Sequence, residues 1–308
     1  VERSIAGYLN KLDKADRGDS GVGDARVEDI QSTIASLKEE MRRLKKRQVQ
    51  VEKAPDRQVS DTDPDSRSMK SRGSGVVGYN VQTAVEPENH LIVHHEVTNE
   101  GSDRSQLASM AKHAKKALGT KTLEVVADRG YYKGTEIVAC EENDISPIMP
   151  KPQTSGSKAA GRYGKQDFIY RAKTDSYRCP AGEELTYRFD SQEKGLTLRV
   201  YWSDACVSCS QKASCTTGKE RRIKRWEKED VLDRMQKRLD KSPELMRLRR
   251  QTVEHPFGTL KAWMGYTHFK TKTLKHVSTE MSLHVLAYNM RRVINIMGVK
   301  PLLAQMRA

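Results

Sequence analysis

The order of predicted elements in this chain indicates a mixed α/β fold of the α+β kind, with a helical hairpin before it and a β-rich insertion within it. Between residues 76 and 150 the pattern reads strand, strand, helix, strand, helix, strand. An antiparallel hairpin followed by parallel strands makes a mixed sheet. Residues 1–53 carry apolar residues at helical spacing, and residues 151–228 carry alternating apolar runs among four cysteines.

The charge of the chain points to a polyanionic partner. Its 308 residues include 55 Lys and Arg against 41 Asp and Glu, a formal net charge of +14. Nucleic acid is the first candidate for so basic a protein. No apolar run approaches the roughly 20 residues that span a membrane. Five cysteines in so long a chain do not form a secreted disulfide scaffold. The composition therefore predicts a cytoplasmic protein without a membrane partner.

The first 53 residues read as a helical hairpin or a coiled-coil insertion. Apolar residues alternate three and four apart, as in a heptad stripe, and a polar stretch at residues 16–21 separates two helical segments. A structural or dimer-contact role is the expectation for such a stripe. The stripe consists of Val27, Ile30, Ile34, Leu37, Met41 and Leu44.

Residues 54–75 are rich in Asp, Ser, Pro and Gly and are predicted to be a loop. The acidic residues Asp61, Asp63 and Asp65 superficially resemble a calcium loop. The Gly and the terminal Glu that such a loop requires are absent. Turn formation is therefore the preferred interpretation of these carboxylates.

Residues 76–150 carry the pattern of the first part of an α/β core. An antiparallel hairpin turns at residues 87–89, and short strands then alternate with helices. The predicted elements are strands at 76–85 and 91–98, a helix from 102 to 118, a strand at 123–127, a helix at 134–143 and a strand at 145–149.

Asp128 stands where the 123–127 strand ends and a glycine-containing turn begins. Catalytic groups in α/β proteins gather at the carboxyl ends of strands. Asp is also a common turn or helix-capping residue. Both interpretations, a catalytic carboxylate and a cap, follow from the residue and its position.

The β-rich insertion, residues 151–228, contains a candidate metal site. Four thiolates at suitable spacing predict a structural zinc ion. The alternative is four reduced thiols in a small β structure. Two of the cysteines form a Cys-x-x-Cys pair, a third follows six residues later and the fourth lies upstream: Cys206, Cys209, Cys215 and Cys179.

The C-terminal part, residues 229–308, is predicted to be mainly helical and to contain a site for phosphate and metal. Arg250 and Glu254 are four residues apart and Lys261 is seven further on, so a continuous helix places all three on one face. A carboxylate between two cations suits a metal ion held against a phosphate. Pro256 is expected to kink or restart this helix. A surface ion-pair ladder is the alternative.

Taken together, these residues resemble the DDE-type transposases of bacterial insertion sequences, in the branch whose third acidic residue lies in a Tyr-x2-Arg-x3-Glu-x6-Lys signature. Arg250, Glu254 and Lys261 match that signature in type and spacing. Arg247 occupies the position of its Tyr, a departure that bears on a contact near the transposon end. The resemblance extends from about residue 57 to the C-terminus.

Two further stretches carry the resemblance. Residues 127–131, Ala-Asp-Arg-Gly-Tyr, resemble the second acidic motif of the family, and residues 78–82 resemble its second strand. A β-rich insertion between the second and third acidic residues also fits this branch.

The resemblance implies an RNase H-like fold and two Mg2+ or Mn2+ ions held by three carboxylates. It implies cleavage of a phosphodiester by water and then attack by the freed 3′ hydroxyl on target DNA. Asp128 and Glu254 would be the catalytic metal ligands, and Arg250, Lys261 and Arg247 would bind phosphates. The partners would be double-stranded transposon ends, target DNA and a second copy in a synaptic homodimer at the nucleoid.

In this family the first acidic residue, an Asp, lies on a strand before the hairpin, and residues 1–75 do not match that pattern. The expectation is therefore a C-terminal part of a longer transposase, with the first catalytic Asp upstream. Assigning that role to Asp63 or Asp65 requires a short strand that Pro64 disfavours. A non-catalytic, basic DNA-binding protein derived from a transposase is the alternative function, and another RNase H-like nuclease is a third.

Overall fold

The computed structural model describes residues 1–16, 24–54, 56–71, 74–152 and 156–307. The chain forms two compact units: residues 1–79 with 272–274, and residues 80–271 with 275–308. Among the described helices, none combines the length and the apolar character needed to cross a membrane.

The first unit begins with two helices, α1 (Glu2–Asp16) and α2 (Asp24–Lys53), as the apolar spacing predicts. The helices contact each other, and among their described side chains Ile5 and Ile34 are the buried apolar ones. Most of the polar stretch expected to separate them, and the side chain of Val27, lie outside the described residues.

A short antiparallel hairpin completes the strands of the first unit. Strand β1 (Arg67–Ser71) pairs with β2 (Ser74–Gly78), so part of the segment predicted to be a loop is a strand. The Ser- and Lys-rich sequence of β1 has no alternation of apolar residues, and the prediction missed it for that reason. The strand predicted at residues 76–85 is divided at Tyr79 between the two units.

Asp63 is a buried carboxylate that the first unit uses structurally. Its Oδ2 accepts a hydrogen bond from the Tyr79 hydroxyl at 2.7 Å, and its Oδ1 accepts from the backbone N–H groups of Thr273 at 3.1 Å and Asp65 at 3.2 Å. Burial raises the pKa of Asp63, but these three donors outweigh it and hold the pKa below its usual range. The arrangement accords with turn formation, the interpretation preferred from sequence.

The second unit contains the predicted succession of strands and helices. Strands β3 and β4 are antiparallel, and β5 and β6 are parallel. Helices α3 and α4 follow β4 and β5 in the chain. The elements are β3 (Asn80–Val85), β4 (Ile92–Thr98), α3 (Leu107–Leu118), β5 (Leu123–Val126), α4 (Gly134–Glu141) and β6 (Ile145–Ile148).

These four strands do not form the single mixed sheet that the sequence predicts. In the described part of the chain, β3 pairs only with β4, and β5 pairs only with β6. A cleft of about 1240 Å3, including its open mouth, is lined by residues 80–87 and 123–128. We call it the β3–β5 cleft. The edges of β3 and β5 that are not paired therefore lack the backbone hydrogen bonds that would join the two pairs into one sheet.

The core of the second unit lies between α3, α4, β6 and a further helix, α5 (Glu229–Lys241). Cys140 on α4 is fully buried there, and burial raises the pKa of its thiol to about 12. Apolar side chains on one side of α5 pack into the same core, so α5 has the amphipathic character that its sequence predicts. Buried members of this core are Leu107, Ala111, Ile137, Cys140, Ile145, Met149, Val231, Leu232 and Met235.

The β-rich segment forms a five-stranded antiparallel sheet with its own small core. The strands follow chain order across the sheet, so each strand pairs with the strands next to it in sequence. The strands are β7 (Ile169–Arg171), β8 (Ser176–Arg178), β9 (Glu184–Glu193), β10 (Leu196–Trp202) and β11 (Ile223–Trp226). The core residues are Phe168, Tyr177, Leu185, Tyr201 and Ile223.

The C-terminal helices differ from the prediction at one point. Helix α6 (Leu245–Gly258) continues through Pro256 instead of restarting there, and a π-helical segment (Thr259–Trp263) follows. The N–H of Thr259 bonds the carbonyls of His255 and Pro256, so the chain keeps a helical course beyond the proline. Two last helices follow, α7 (Leu274–Met297) and α8 (Val299–Arg307).

Candidate active site

Asp128 lies at the carboxyl end of β5, at the mouth of the β3–β5 cleft. It has extended backbone angles and begins a 3₁₀ turn, Arg129–Tyr131, where its Oδ1 accepts the N–H of Gly130 at 2.7 Å. The side chain is 47% exposed. Asp128 therefore caps a turn with one oxygen, and its carboxylate remains accessible for a ligand.

Gly130 is required by the close approach of two carboxylates. A Cβ atom at this position would lie 2.8 Å from Oδ1 of Asp128 and 3.4 Å from Oδ2 of Asp103. The first distance is too short for a real contact, and the atom approached belongs to the turn itself. The glycine thus allows Asp103 and Asp128 to flank the same point of the backbone.

A hydrogen-bonded network holds Asp103 and the Asp128 turn together. Oδ1 of Asp103 accepts from Asn80 Nδ2 at 2.7 Å and from Gln82 Nε2 at 2.8 Å, both on β3. The amide oxygen of the buried Gln82 accepts the hydroxyl of Tyr131. Burial and the negative charges of Asp103 and Asp128 raise the pKa of Tyr131, so this hydroxyl stays protonated and donates.

Sequence analysis missed Asp103, Gln82 and Tyr131 as members of the site. The sequence predicts a helix from residue 102, whereas Ser102 caps a 3₁₀ turn, Asp103–Ser105, ahead of α3. Side chains 21 and 49 positions apart meet in this network, and no local pattern reports such pairs. The signals in the sequence are the alternation of polar residues Asn80 and Gln82 on β3 and the two family-like stretches, 78–82 and 127–131, that contain Gln82 and Tyr131.

Arg249 is the arginine that faces Asp128. Its Nη1 lies 3.9 Å from Oδ2 of Asp128, and its side chain is half as exposed as that of the carboxylate, 23% against 47%. Arg249 and Val253, four residues apart, both line the β3–β5 cleft. The sequence had pointed instead to Arg250, which occupies the neighbouring, exposed side of α6.

The signature residues are exposed along α6 and the π-helical segment. No salt bridge joins Arg250, Glu254 and Lys261 in the described part of the chain, so the ion-pair ladder offered as their alternative explanation does not form. Arg247 is also exposed, about two turns before Glu254 on α6. Lys261 lies beyond the start of the π-helical segment, with Nζ 5.9 Å from the centroid of the Phe257 ring. The wider π turn interrupts the single helical face that ideal spacing predicts.

The carboxylates suit a hard divalent cation in their chemistry, but they do not form a complete ligand set. Oxygen donors are those that Mg2+ and Mn2+ prefer. Within the described residues no three side chains of His, Cys, Asp or Glu are grouped closely enough to hold a metal ion. Asp103 and Asp128 are brought together at Gly130, and Glu254 is not among the side chains that line the cleft.

The four cysteines of the β-rich segment line one cavity, beside its core. All four are free thiols of intermediate exposure. They lie in the turn after β8 and in a pair of 3₁₀ turns, Asp204–Val207 and Lys212–Ser214, or directly beside them. Their places in the chain are Cys179, Cys206, Cys209 and Cys215.

These features define a basic α/β protein with an acidic residue at a strand end and, on α6 and just after it, exposed cations that form no salt bridge within the described residues. A family model described as a transposase DDE domain matches residues 47–290, and the chain belongs to this family. Comparisons with curated proteins and with solved structures returned no match. Membership supports transposase function, nuclease or transferase chemistry and DNA as substrate, in a family that generally uses divalent metal ions.

Proposed function

We propose that this protein is a DNA transposase whose active site is built around Asp128, with Glu254 as a second catalytic carboxylate. The reaction is hydrolytic cleavage of a DNA strand followed by strand transfer from the freed 3′ hydroxyl. The observation that carries the proposal is the position of Asp128. It lies at a strand end, at a cleft mouth, with one oxygen held by Gly130 and a side chain open to solvent.

The cations on α6 and beyond it supply the phosphate contacts. Arg247, Arg250 and Lys261 are exposed and make no salt bridge within the described residues. Cations without carboxylate partners are free to neutralise phosphates, and the arginines can bind them in bidentate fashion. The net charge of +14 also favours binding of the protein to double-stranded DNA, whose backbone is negatively charged.

Asp128 and Glu254 would hold the divalent ions, Mg2+ or Mn2+. When bound, a pair of such ions stabilises the attacking and leaving oxygens of a phosphoryl transfer. The residues of this chain orient that site. Gly130 fixes one oxygen of Asp128, and the network of Asp103, Gln82 and Tyr131 holds the turn against β3. Arg249, which also lines the cleft, lies 3.9 Å from Asp128 and balances its charge.

The β3–β5 cleft supports the expectation of a further strand that bears the first acidic residue. Two unpaired strand edges line it, together with apolar side chains of α3 such as Leu107 and Met110. An extended apolar segment placed there would satisfy the backbone groups of both edges. A carboxylate at the end of that segment would lie on the same side as Asp128, because parallel strands end at a common edge.

A homodimer is the proposed synaptic assembly, in a cytoplasmic protein that acts at the nucleoid. Helix α7 exposes apolar side chains three, four and seven residues apart, a spacing typical of helix–helix interfaces. Scattered apolar residues on a surface are ordinary, but a continuous stripe favours a partner. The stripe consists of Leu283, Leu286, Met290 and Met297.

The test is a strand-cleavage assay on DNA carrying the transposon end, with Mg2+ as the cofactor. The chain is assayed with and without Mg2+. Asp128→Asn and Glu254→Gln are each expected to abolish nicking and leave DNA binding intact. Glu244→Gln, at the exposed start of the same α6 helix, is the matched control and should keep full activity.

The alternative function, a non-catalytic DNA-binding protein, makes a different forecast. It predicts salt-sensitive DNA binding without nicking whether or not Mg2+ is present, and no effect of Glu254→Gln on DNA binding. Cleavage without strand joining would instead favour a nuclease. Nicking that persists in both Asp128→Asn and Glu254→Gln would overturn the proposed active site.

A further inference from the structure

The cysteine cavity of the β-rich segment gathers four thiols from separate stretches of chain. Its volume is about 430 Å3, including its mouth. Cys206 and Cys209 come from the turns after β10, Cys215 ends the next 3₁₀ turn, and Cys179 comes from the turn after β8. Thiols that are simply small core residues are buried, as Cys140 is in the other core of the second unit. These four are instead half-exposed and share a cavity wall.

Tight turns present each thiol to the cavity. The carbonyl of Cys179 accepts the N–H of Gly182 at 2.9 Å, and the N–H of Cys179 donates to Glu183 at 2.9 Å, which closes a turn in which Gly182 has a φ of 91°. The carbonyl of Cys209 accepts the N–H of Lys212 at 3.2 Å, and the N–H of Cys215 donates to Lys212 at 3.0 Å. Backbone turns of this kind are the usual supports of thiolate ligands in small zinc sites.

Arg221 places a positive charge at the same cavity. Its Nη2 donates to the carbonyl of Tyr163 at 3.2 Å, and its guanidinium lies 5.5 Å from the centroid of the Phe168 ring. Its Nε is buried and has no hydrogen-bond partner among the described residues. Four thiolates around one divalent ion carry a net charge of −2, which a neighbouring guanidinium offsets. Arg221 and all four cysteines line this one cavity.

We propose that Cys179, Cys206, Cys209 and Cys215 bind one structural zinc ion. Their side chains are not yet grouped at ligand distance among the described residues, so binding must draw the thiolates inward across the cavity. The ion would tie the loop between β10 and β11 to the turn after β8. It would thereby reinforce an edge of a sheet whose own core has only five buried residues. This inference does not depend on the proposed transposase reaction.

The experiment measures metal in the whole chain, expressed with zinc in the medium and purified without chelator. Elemental analysis should find about one zinc per chain, and X-ray absorption should show sulfur neighbours at about 2.3 Å. Cys209→Ser should lose most of the zinc. Cys140→Ala removes a thiol far from the cavity wall and should retain it, which makes it the matched control.

A second readout covers the case in which Cys209→Ser does not fold. The wild-type chain, stripped with a chelator and titrated with Co2+, should develop a thiolate-to-metal charge-transfer band that Zn2+ abolishes. Wild-type protein without zinc and without that band would overturn the proposal. So would zinc retained in full by Cys209→Ser, or a thiol assay under non-reducing conditions in which these four cysteines are found as disulfides.

Discussion

The two acidic residues of the proposed active site are held in opposite ways. Asp128 is fixed by a turn hydrogen bond and by a network that reaches β3 through Asp103 and Gln82. Glu254 is exposed on α6 and, within the described residues, has neither a salt bridge nor a hydrogen bond through its side chain. In the proposed site, hydrogen bonds hold the Asp128 carboxylate, whereas the Glu254 side chain is positioned only by its place on α6.

The largest expected effect removes either acid. Asp128→Asn and Glu254→Gln should each reduce Mg2+-dependent cleavage by more than the ~10–100-fold typical of residues that only support metal ligands. The free energies of unfolding of both variants should differ from that of wild type by less than about 1 kcal/mol, because both side chains are exposed. Equal stabilities and equal losses in a nicking assay would sharpen the comparison. A large loss of stability in Glu254→Gln would show that the Glu254 side chain makes contacts that stabilise the protein, which contradicts the contrast with Asp128.

Among substitutions that add only one methyl group, Gly130→Ala should be the most damaging at the Asp128 turn. The added Cβ would lie 2.8 Å from Oδ1 of Asp128, so the turn must shift and the carboxylate with it. We expect cleavage to fall about 10–100-fold and stability by about 1–3 kcal/mol. Gly258→Ala on α6 is the control, because no atom lies within 4 Å of its new Cβ. That helical substitution should raise stability slightly. Equal cleavage and equal stability of Gly130→Ala and Gly258→Ala would contradict the idea that the turn at Gly130 positions Asp128.

Gln82→Leu tests the network itself. It removes one donor to Asp103 and the acceptor of the Tyr131 hydroxyl, and leaves buried polar groups unpaired. We expect a loss of about 2–3 kcal/mol in the free energy of unfolding, measured by chemical denaturation. Tyr131→Phe, which removes only the hydroxyl, should lose less. If neither variant changes stability or cleavage, the network does not position Asp128.

Glu229 provides a pH-dependent counterpart to the exposed Glu254. It is buried and accepts from Lys165 at 2.8 Å, Lys151 at 3.4 Å and the backbone N–H of Trp226 at 3.1 Å. Burial raises the pKa of Glu229, but the two lysines and the N–H hold it below its ordinary value of 4.5. Its contribution to stability is therefore complete above the unfolded-state pKa and is lost as the pH falls through the folded-state pKa.

The corresponding variant is Glu229→Gln. It should cost about 1–3 kcal/mol near neutral pH, because the partly exposed lysines lose their buried partner. The difference from wild type should shrink as the pH falls below 4.5. Urea denaturation at several pH values measures it. The stability curve of Glu254→Gln should follow that of wild type throughout, and a parallel loss in that variant would contradict the contrast between the two carboxylates.

The smallest expected effects come from substitution of the exposed cations on α6 and in the π-helical segment that follows it. Lys261→Ala and Arg250→Ala should leave stability unchanged, since neither side chain is in a salt bridge of the described residues. Each should weaken DNA binding and reduce the slope of log affinity against log salt by about 1. Fluorescence anisotropy at several salt concentrations measures the slope. Arg249→Ala should reduce cleavage more than binding, because Arg249 faces Asp128.

Element boundaries show where sequence patterns were informative. The parallel pair β5 and β6 and the helices beside it were predicted because β-branched runs end at glycine and Asp turns. Strand β1 was missed because its sequence has no apolar alternation, and the predicted strand at residues 76–85 was divided between two units. Pro256 was expected to interrupt α6, but the helix tolerates one missing N–H and departs from α geometry only afterwards.

The sequence by itself determined the local features of this protein: Asp128 at the end of a strand, the spacing of Arg250, Glu254 and Lys261, and a cysteine-rich β segment. Each is a pattern within one element or one turn, where chemistry depends on near neighbours. Only the tertiary structure decided that Asp103 joins Asp128 and that Arg249 faces the acid. It also decided that four cysteines share one cavity and that a cleft separates β3 from β5. These are contacts between distant residues, which depend on how whole elements pack and which no local period records.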